Sequence, residues 1–281
     1  MPFNDRIKYT KGGIAMDYLL AAKMRYYSKD GSENIINRLN KELPANISTC
    51  KHEFLCLFDD IVSNVPCCYW NKEIYAQTLT QSQMLIQENP DIVVDESMME
   101  YFLIGYNTYT QVTSIINDLS GLNDSPAIKN RQYRIPTYIS IVEGCLTNLF
   151  RFIVLLINQT ATKDYSTAHK LNPLCEILSK NGYDKLVSNV DINVRNAINH
   201  GGIIFKEDGR ILEFHYMENR HSVSQALNIY EFDHLIERVY DTASAIILGI
   251  GMFLNNNWSA LSINLTERTF VTFSLFIKNL H

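Results

Sequence analysis

The sequence has no excess of positive charge. Its 281 residues include 25 Lys and Arg against 30 Asp and Glu, which gives a formal net charge of −5 at pH 7. A strongly basic surface is typical of proteins that bind nucleic acid without sequence preference, so this balance argues against such binding by the chain as a whole. A local basic cleft can still lie on an acidic protein, and an RNA substrate therefore stays compatible with the composition.

The marks of export, membrane insertion and disulfide bonding are also missing. The first nine residues are polar, and the longest apolar runs, Phe152–Ile157 and Ala243–Leu254, are shorter than the ~20 residues of a membrane span. None of the six cysteines forms a C-x-x-C pair, and their spacing matches no zinc pattern. We therefore expect reduced thiols, no metal, no cofactor, no membrane partner and a cytoplasmic location.

Residues 1–120 contain no glycine-rich phosphate loop, no nucleophile elbow and no internal repeat. Apolar residues instead recur at three- and four-residue intervals through most of the chain, which predicts a mainly α fold. The main predicted helices are Ile14–Ser28, Ser32–Leu43, Ser48–Val62, Lys72–Gln87, Met98–Leu119, Tyr138–Asn158, Thr167–Lys180, Tyr183–Ser188 and Phe232–Asn255. The apolar tail Thr266–Leu280 fits either a helix or a strand, and a helix is favoured.

The most turn-rich segment is Gly121–Pro126, which contains glycine, asparagine, aspartate, serine and proline. Such a segment is typical of a boundary, so we divide the chain there. Residues 1–125 are predicted to form a helical N-terminal region of unknown role. Residues 126–281 are predicted to form a second domain with a C-terminal extension.

The second domain is predicted to contain a long apolar helix and a β-hairpin. Apolar side chains lie almost all round Tyr138–Asn158, so this helix should be central or packed in a dimer, and its Glu143 should face solvent or pair. The strands Ile203–Lys206 and Ile211–Tyr216 alternate in polarity and are joined through Glu207–Gly209, a strong turn signal.

Between these elements lies the stretch Asn193–Gly202, with the sequence NVRNAINHGG. It places Arg195 five residues before His200, with the polar Asn196 directly after the arginine. Asp191 or Asn193 is a suitable cap for the start of a helix, and the two glycines after His200 are suited to end it.

These residue types suit the cleavage of RNA without a metal. The reaction needs a base for the 2′-hydroxyl, an acid for the leaving 5′-oxygen and a cation for the charge that develops on phosphorus. Histidine can act as acid or base near neutral pH, and arginine binds phosphate oxygens in two places while staying charged.

Helix geometry keeps Arg195 and His200 apart. Five residues rise about 7.5 Å and turn about 140°, so the arginine reaches the histidine only at the rim of a cleft. One such motif supplies one histidine, whereas a symmetric dimer would supply two. The structural alternative is that Arg195 pairs with a nearby carboxylate and His200 ends the helix.

A second pair with the same spacing, Arg210 and His215, provides an internal control. It falls in a predicted strand, where side chains five residues apart point to opposite faces. We therefore expect no site at this pair, and a hairpin role for His215.

The Asn193–Gly202 stretch resembles the R-N-x-x-x-H signature of the HEPN superfamily, whose members are all-helical domains that include metal-independent endoribonucleases. Residues from about 136 to 255 resemble a whole HEPN domain, similar to the HEPN proteins of bacterial plasmids and defence loci. The hairpin departs from the minimal four-helix core, and Glu143 is the nearest counterpart of the charged residues that some members carry on an earlier helix.

The resemblance implies a composite site between two HEPN units, and hence a homodimer. It also implies catalytic roles for three residues: Arg195 on the scissile phosphate, His200 as acid or base, and Asn196 in orienting His200 or the ribose. The expected function is that of an endoribonuclease of the toxin or antiviral, abortive-infection type. The substrate would be a tRNA or an mRNA, and a cognate antitoxin or sensor protein would be a further partner. The alternatives are a non-catalytic HEPN-like module that binds RNA or protein, and a helical scaffold with a coincidental motif.

Overall fold

The computed structural model describes residues 47–65, 72–89, 92–119, 122–218, 220–257 and 262–264. The predicted helices Ile14–Ser28 and Ser32–Leu43 and the tail Thr266–Leu280 lie outside the described residues. Helical residues make up 71% of the described part, which confirms the prediction of a mainly α fold. Most of the described residues belong to one compact unit, Phe58–Asn264.

The helices and strands follow in this order along the described chain. The helices are α1 (Ile47–Asn64), α2 (Lys72–Glu88), α3 (Glu96–Leu119), α4 (Pro126–Asn158), α5 (Leu171–Lys180), α6 (Asp184–Val187), α7 (Ile192–Asn199) and α8 (Ile229–Asn257). The strands are β1 (Val93–Asp95), β2 (Ile203–Lys206), β3 (Ile211–Glu218), β4 (His221–Asn228) and β5 (Ser262–Asn264).

Helix α4 begins earlier than the sequence indicates. Ser125 caps it, and the helix runs without a break from Pro126 to Asn158, so it begins 12 residues before the predicted start at Tyr138. Two π-helical stretches, Asn130–Arg134 and Ser140–Leu146, interrupt its α-helical geometry. Pro136, which has no N–H to donate to the helix, is the second residue of the α-helical segment that follows the first stretch.

Helix α4 is the central element of the compact unit. Among the described residues it is the one helix that is long and apolar enough to cross a membrane, yet 61% of its most apolar window is buried inside the protein. Helix α3 packs along it, with the rings of Phe102 and Phe152 6.1 Å apart. The chain itself therefore covers the apolar surface of α4. Of the two predicted alternatives, a central helix and a helix packed in a dimer, the structure has the central helix.

Helix α3 lies before the boundary predicted at residue 126, and α4 begins there. Their packing places the turn-rich segment inside the compact unit. Helices α2 and α8 also pack against each other across the same segment of sequence.

The predicted hairpin is part of a larger sheet. Strands β2, β3 and β4 form a three-stranded antiparallel sheet in that order, so a two-stranded hairpin was an incomplete prediction. Leu212 and Phe214 point from β3 into the core, where the ring of Phe214 lies 5.5 Å from that of Phe232 in α8. The opposite face of β3 carries Glu213 and His215, since side chains alternate along a strand.

Helix α7 is held at its start and along its buried side. The Asp191 side chain accepts hydrogen bonds from the backbone N–H groups of Asn193 (3.0 Å) and Val194 (2.9 Å), as an N-cap does. The buried Tyr138 hydroxyl of α4 donates to the Asp191 carbonyl at 3.0 Å. Val194 and Ala197 are buried, so the polar residues of α7 are left on its other sides.

Candidate active site

The polar residues of α7 lie on two adjacent sides of the helix. Arg195 and Asn199 are four residues apart and share one side, while Asn196 and His200 share the next. The first side meets Glu143 of α4. The second side opens on a cleft at the sheet.

Glu143 joins α4 to the first polar side of α7. One of its carboxylate oxygens accepts hydrogen bonds from Nε of Arg195 and from Nδ2 of Asn199, the latter at 3.0 Å. The Arg195 and Glu143 side chains are 19% and 30% exposed, so this ion pair is partly shielded from solvent. The expectation that Glu143 pairs or faces solvent is therefore met by pairing, which is also the structural alternative raised for Arg195.

The Arg195 guanidinium links the two polar sides. Its Nη1 group donates to Oδ1 of Asn196 at 2.9 Å, which holds the amide of Asn196 beside the arginine. Its Nη2 group has no hydrogen-bond acceptor among the described residues. A guanidinium has five donors, so Arg195 keeps donors for a further anion.

The end of α7 has the geometry of a Schellman motif. The N–H of Gly202 donates to the Ala197 carbonyl at 2.7 Å, and that of Gly201 donates to Ile198 at 3.1 Å. Gly201 adopts a left-handed φ of 72°, which glycine tolerates best. This confirms that the two glycines end the helix, and it places the exposed His200 at its C-terminal cap.

Strand β3 comes directly against this helix end. The N–H of His215 donates to the Gly202 carbonyl at 2.7 Å. A Cβ at Gly202 would overlap the His215 carbonyl oxygen, so glycine is needed for this close approach. The result is a cleft of about 440 Å³ lined by Asn196, His200, Gly202, His215, Tyr216 and Met217.

The outer face of the sheet supports the ring of His215. Nε2 is buried and lies 3.5 Å from Oε1 of Glu213, a contact longer than an ordinary hydrogen bond. The other oxygen of Glu213 forms an ion pair with Lys206. Hydrogen bonding to Lys206 is the largest cause of a lowered pKa at Glu213, which keeps this carboxylate charged.

The structure thus brings some of the predicted residues together and separates others. Asn196 and His200 line the cleft, whereas Arg195 does not and reaches it only through the Asn196 amide. The second arginine–histidine pair is split: Arg210 is exposed at the hairpin turn, while His215 lies in the cleft with His200. The prediction that His215 has only a hairpin role missed this juxtaposition.

The sequence did carry a signal for His215. The hairpin register pairs Lys206 with Ile211 and Ile203 with Phe214. Continued by one residue, the same register sets Gly202 opposite His215, two residues after His200. Tyr216 and Met217, the next two residues of the strand, also line the cleft.

Metal-ion catalysis and catalysis by a cysteine thiolate have less support in the described residues. Across the described ranges, no group of three or more histidine, cysteine, aspartate or glutamate side chains is placed to hold a metal ion. Burial raises the pKa of the Cys175 thiol to about 11, so this thiol is neutral at pH 7 and unsuited to act as a thiolate nucleophile.

No protein-family model, curated protein or solved structure matches this chain. The resemblance to HEPN proteins therefore rests on the sequence alone.

Proposed function

We propose that the chain is a HEPN-type endoribonuclease of the toxin or abortive-infection class, which cleaves RNA in the cytoplasm without a metal ion. The observation that carries this proposal is the cleft at the end of α7. It combines Asn196, His200 and His215 in one place, with the Arg195 guanidinium on the adjoining side of the helix. In this proposal, helices α4, α7 and α8 correspond to helices of a HEPN-like bundle, and the three-stranded sheet corresponds to an insertion in it.

Each residue on α7 has a chemical role in this function. His200 is exposed at the helix end, where it can exchange a proton with the ribose or with the leaving oxygen. Arg195 supplies the fixed positive charge through the Nη2 group that Glu143 and Asn196 leave available. Asn196 sits between the two and orients the guanidinium relative to the cleft.

The partners follow from the same function. The substrate is RNA, either a tRNA or an mRNA, and the active form is a homodimer, as the resemblance implies. A toxin of this class also requires a cognate antitoxin or a sensor protein that restrains it.

The products and the metal dependence test the proposal. Attack by the 2′-hydroxyl leaves a 2′,3′-cyclic phosphate and a 5′-hydroxyl, so a polynucleotide kinase should label the 5′ ends of the products without prior phosphatase treatment. A bulk tRNA pool incubated with the protein in excess EDTA should be cleaved as fast as in magnesium. Activity that disappears with EDTA and returns with magnesium would mean a different catalytic site.

A second candidate function is a non-catalytic module that binds RNA or protein. The observation in its favour is the ion pair between Arg195 and Glu143, which already compensates the charge of the signature arginine. Such a module should bind labelled RNA in fluorescence anisotropy and leave it intact over hours. Its affinity should be unchanged in His200→Ala, whereas the enzyme loses its cleavage with that substitution.

A further inference from the structure

Two histidines line the cleft, although the arginine–histidine motif contains only one. The proposed cleavage needs a base and an acid at the same phosphate. His200 enters the cleft from the end of α7, and His215 enters it from β3. The single chain thus holds as many proton-transfer groups in one place as the reaction requires.

The backbone fixes the relation between the two histidines. Gly202, two residues after His200, donates to Ala197 of the helix and accepts from the N–H of His215, both at 2.7 Å. One short hydrogen bond therefore attaches Gly202 to the last helical turn, and another attaches it to the strand. The absence of a side chain at Gly202 allows this close approach. Catalytic groups need such fixed placement, because small displacements cost rate.

The two nitrogens of the His215 ring have different surroundings. Its buried Nε2 faces Glu213 at 3.5 Å, and Lys206 anchors that carboxylate from its other oxygen. The His215 side chain as a whole is 36% exposed, so a substrate in the cleft would meet the other ring nitrogen, Nδ1. A histidine with one nitrogen buried against a carboxylate and the other open to the cleft can take up or release a proton at the open nitrogen.

We infer that His215 is the second proton-transfer residue, and that one chain supplies both histidines of the active site. This inference rests on the proposed ribonuclease function. One neutral imidazole removes the 2′-hydroxyl proton as the 2′-oxygen bonds to phosphorus. The other imidazole, in its protonated form, gives its proton to the 5′-oxygen as the bond from phosphorus to that oxygen breaks. One proton is taken up and one is released, so exchange with water restores both rings.

Single-turnover cleavage of a bulk tRNA pool tests this inference, with His200→Ala, His215→Ala and His221→Ala compared at equal concentration. His221 is a matched control, because it is an exposed histidine on the neighbouring strand β4 and does not line the cleft. We expect both cleft variants to lose about 100-fold or more and His221→Ala to match the parent. The parent should show a bell-shaped dependence of the rate on pH, and each cleft variant should lose one limb of the bell.

A substrate with a better leaving group separates the two roles. Once the main cleavage site is mapped, an RNA with sulfur in place of the bridging 5′-oxygen at that site needs no acid. Cleavage of this RNA should recover in the variant that lacks the acid and stay slow in the variant that lacks the base. Recovery in neither variant would overturn the division of roles.

Two further measurements guard against a purely structural effect of His215. His215→Gln keeps a polar side chain of similar reach, so it separates loss of the imidazole from loss of a polar side chain. Added imidazole should partly restore cleavage by folded His215→Ala.

Mixing His200→Ala with His215→Ala should restore nothing, because each chain then lacks one member of its own pair. Restored cleavage in the mixture would show that the two histidines come from different chains, and the single-chain site would be wrong.

The outcomes for the two proposals differ. If the parent and His215→Ala cleave within about threefold of each other while His200→Ala does not cleave, the inference fails and the ribonuclease function stands. If the parent cleaves no RNA at all, both the proposed ribonuclease function and the inference about His215 fail.

Discussion

The two arginine–histidine pairs have the same spacing in the sequence, but the structure places their members differently. In α7, Arg195 and His200 fall on adjoining sides of a helix, and the arginine contacts Glu143 and not the cleft. At the hairpin, Arg210 stays exposed at the turn while His215 reaches the helix end. Spacing along the sequence therefore does not decide which residues line the cleft. The backbone hydrogen bond from His215 to Gly202 brings β3 against the end of α7, and His200 and His215 both line the cleft there.

The largest expected effect is at His200. His200→Ala should reduce single-turnover cleavage by about 100-fold or more, because it removes a proton-transfer group. RNA affinity should be largely kept, since the substitution removes only an exposed ring and keeps the Arg195 guanidinium. Filter binding and cleavage on the same samples measure both. Cleavage at the parental rate would show that the Arg195–His200 pair, like Arg210, has no catalytic role.

The two arginines give the next comparison. Arg195→Ala should weaken cleavage and RNA affinity together, since a cation that contacts the phosphate before reaction also contacts it in the transition state. Arg195→Lys should recover little, because an ammonium cannot bind phosphate oxygens in two places or keep the contacts to Glu143 and Asn196. The matched change Arg210→Ala should alter neither rate nor affinity. Equal losses at both arginines would mean that only net charge matters, which a salt titration of the affinity would confirm.

Two neighbouring glycines test how the strand and the helix end are joined. Gly202→Ala should destabilise the fold by about 1–3 kcal/mol, because the new methyl group overlaps the His215 carbonyl oxygen. Gly201→Ala should cost about 1–2 kcal/mol for a different reason, the left-handed φ of 72°. Urea unfolding measures both.

Only Gly202→Ala should affect cleavage per folded molecule, since only that substitution pushes the strand carrying His215 away from His200. Equal activity in the two folded variants would show that the close approach is unimportant for chemistry.

The smallest effect concerns pH and a residue outside both pairs. Burial raises the pKa of Asp241 in α8 to about 7, and the nearby Glu237 adds to the rise. The unfolded chain loses this proton at lower pH than the folded chain, so the contribution of Asp241 to stability is greatest below pH 4. It falls as pH rises from about 4 to 7 and is constant above that range.

Asp241→Asn should remove this dependence. Its melting temperature relative to the parent should increase by a few degrees from pH 4 to pH 8, as measured by circular dichroism. A constant difference would contradict the raised pKa. The variant also sharpens the rate profile, because it removes the titration of Asp241 near pH 7 from that profile.

Much of the helical architecture was readable because it is local. Three-four periodicity gave the positions of α2, α3 and α8 to within a few residues. The two glycines gave the end of α7, since the Schellman motif depends on neighbouring residues alone. Strand β4 was missed because its inward residues, Val223, Gln225 and Leu227, include a glutamine and are only half-buried. That weakens the alternation on which strand prediction depends.

The candidate site was predictable only in part. Asn196 and His200 follow from the motif, and the hairpin register contained the position of His215 opposite Gly202. The partner of Arg195 did not follow, because Glu143 is 52 residues away and its direction depends on a π-helical stretch that periodicity does not reveal. The boundary at residue 126 was drawn from turn chemistry, which says nothing about whether α3 and α4 pack together.

The π-helical stretch Ser140–Leu146 has a consequence for how related chains should differ from this one. Each residue of an α-helix turns the chain by about 100°, and a π turn accommodates extra chain within an otherwise α-helical segment. A natural variant with one residue fewer in this stretch would restore regular geometry and swing position 143 away from Arg195. Alignments of such chains should therefore show a one-residue gap within 140–146 together with loss of the glutamate. Where the stretch keeps its length, the glutamate and the arginine should be inherited together.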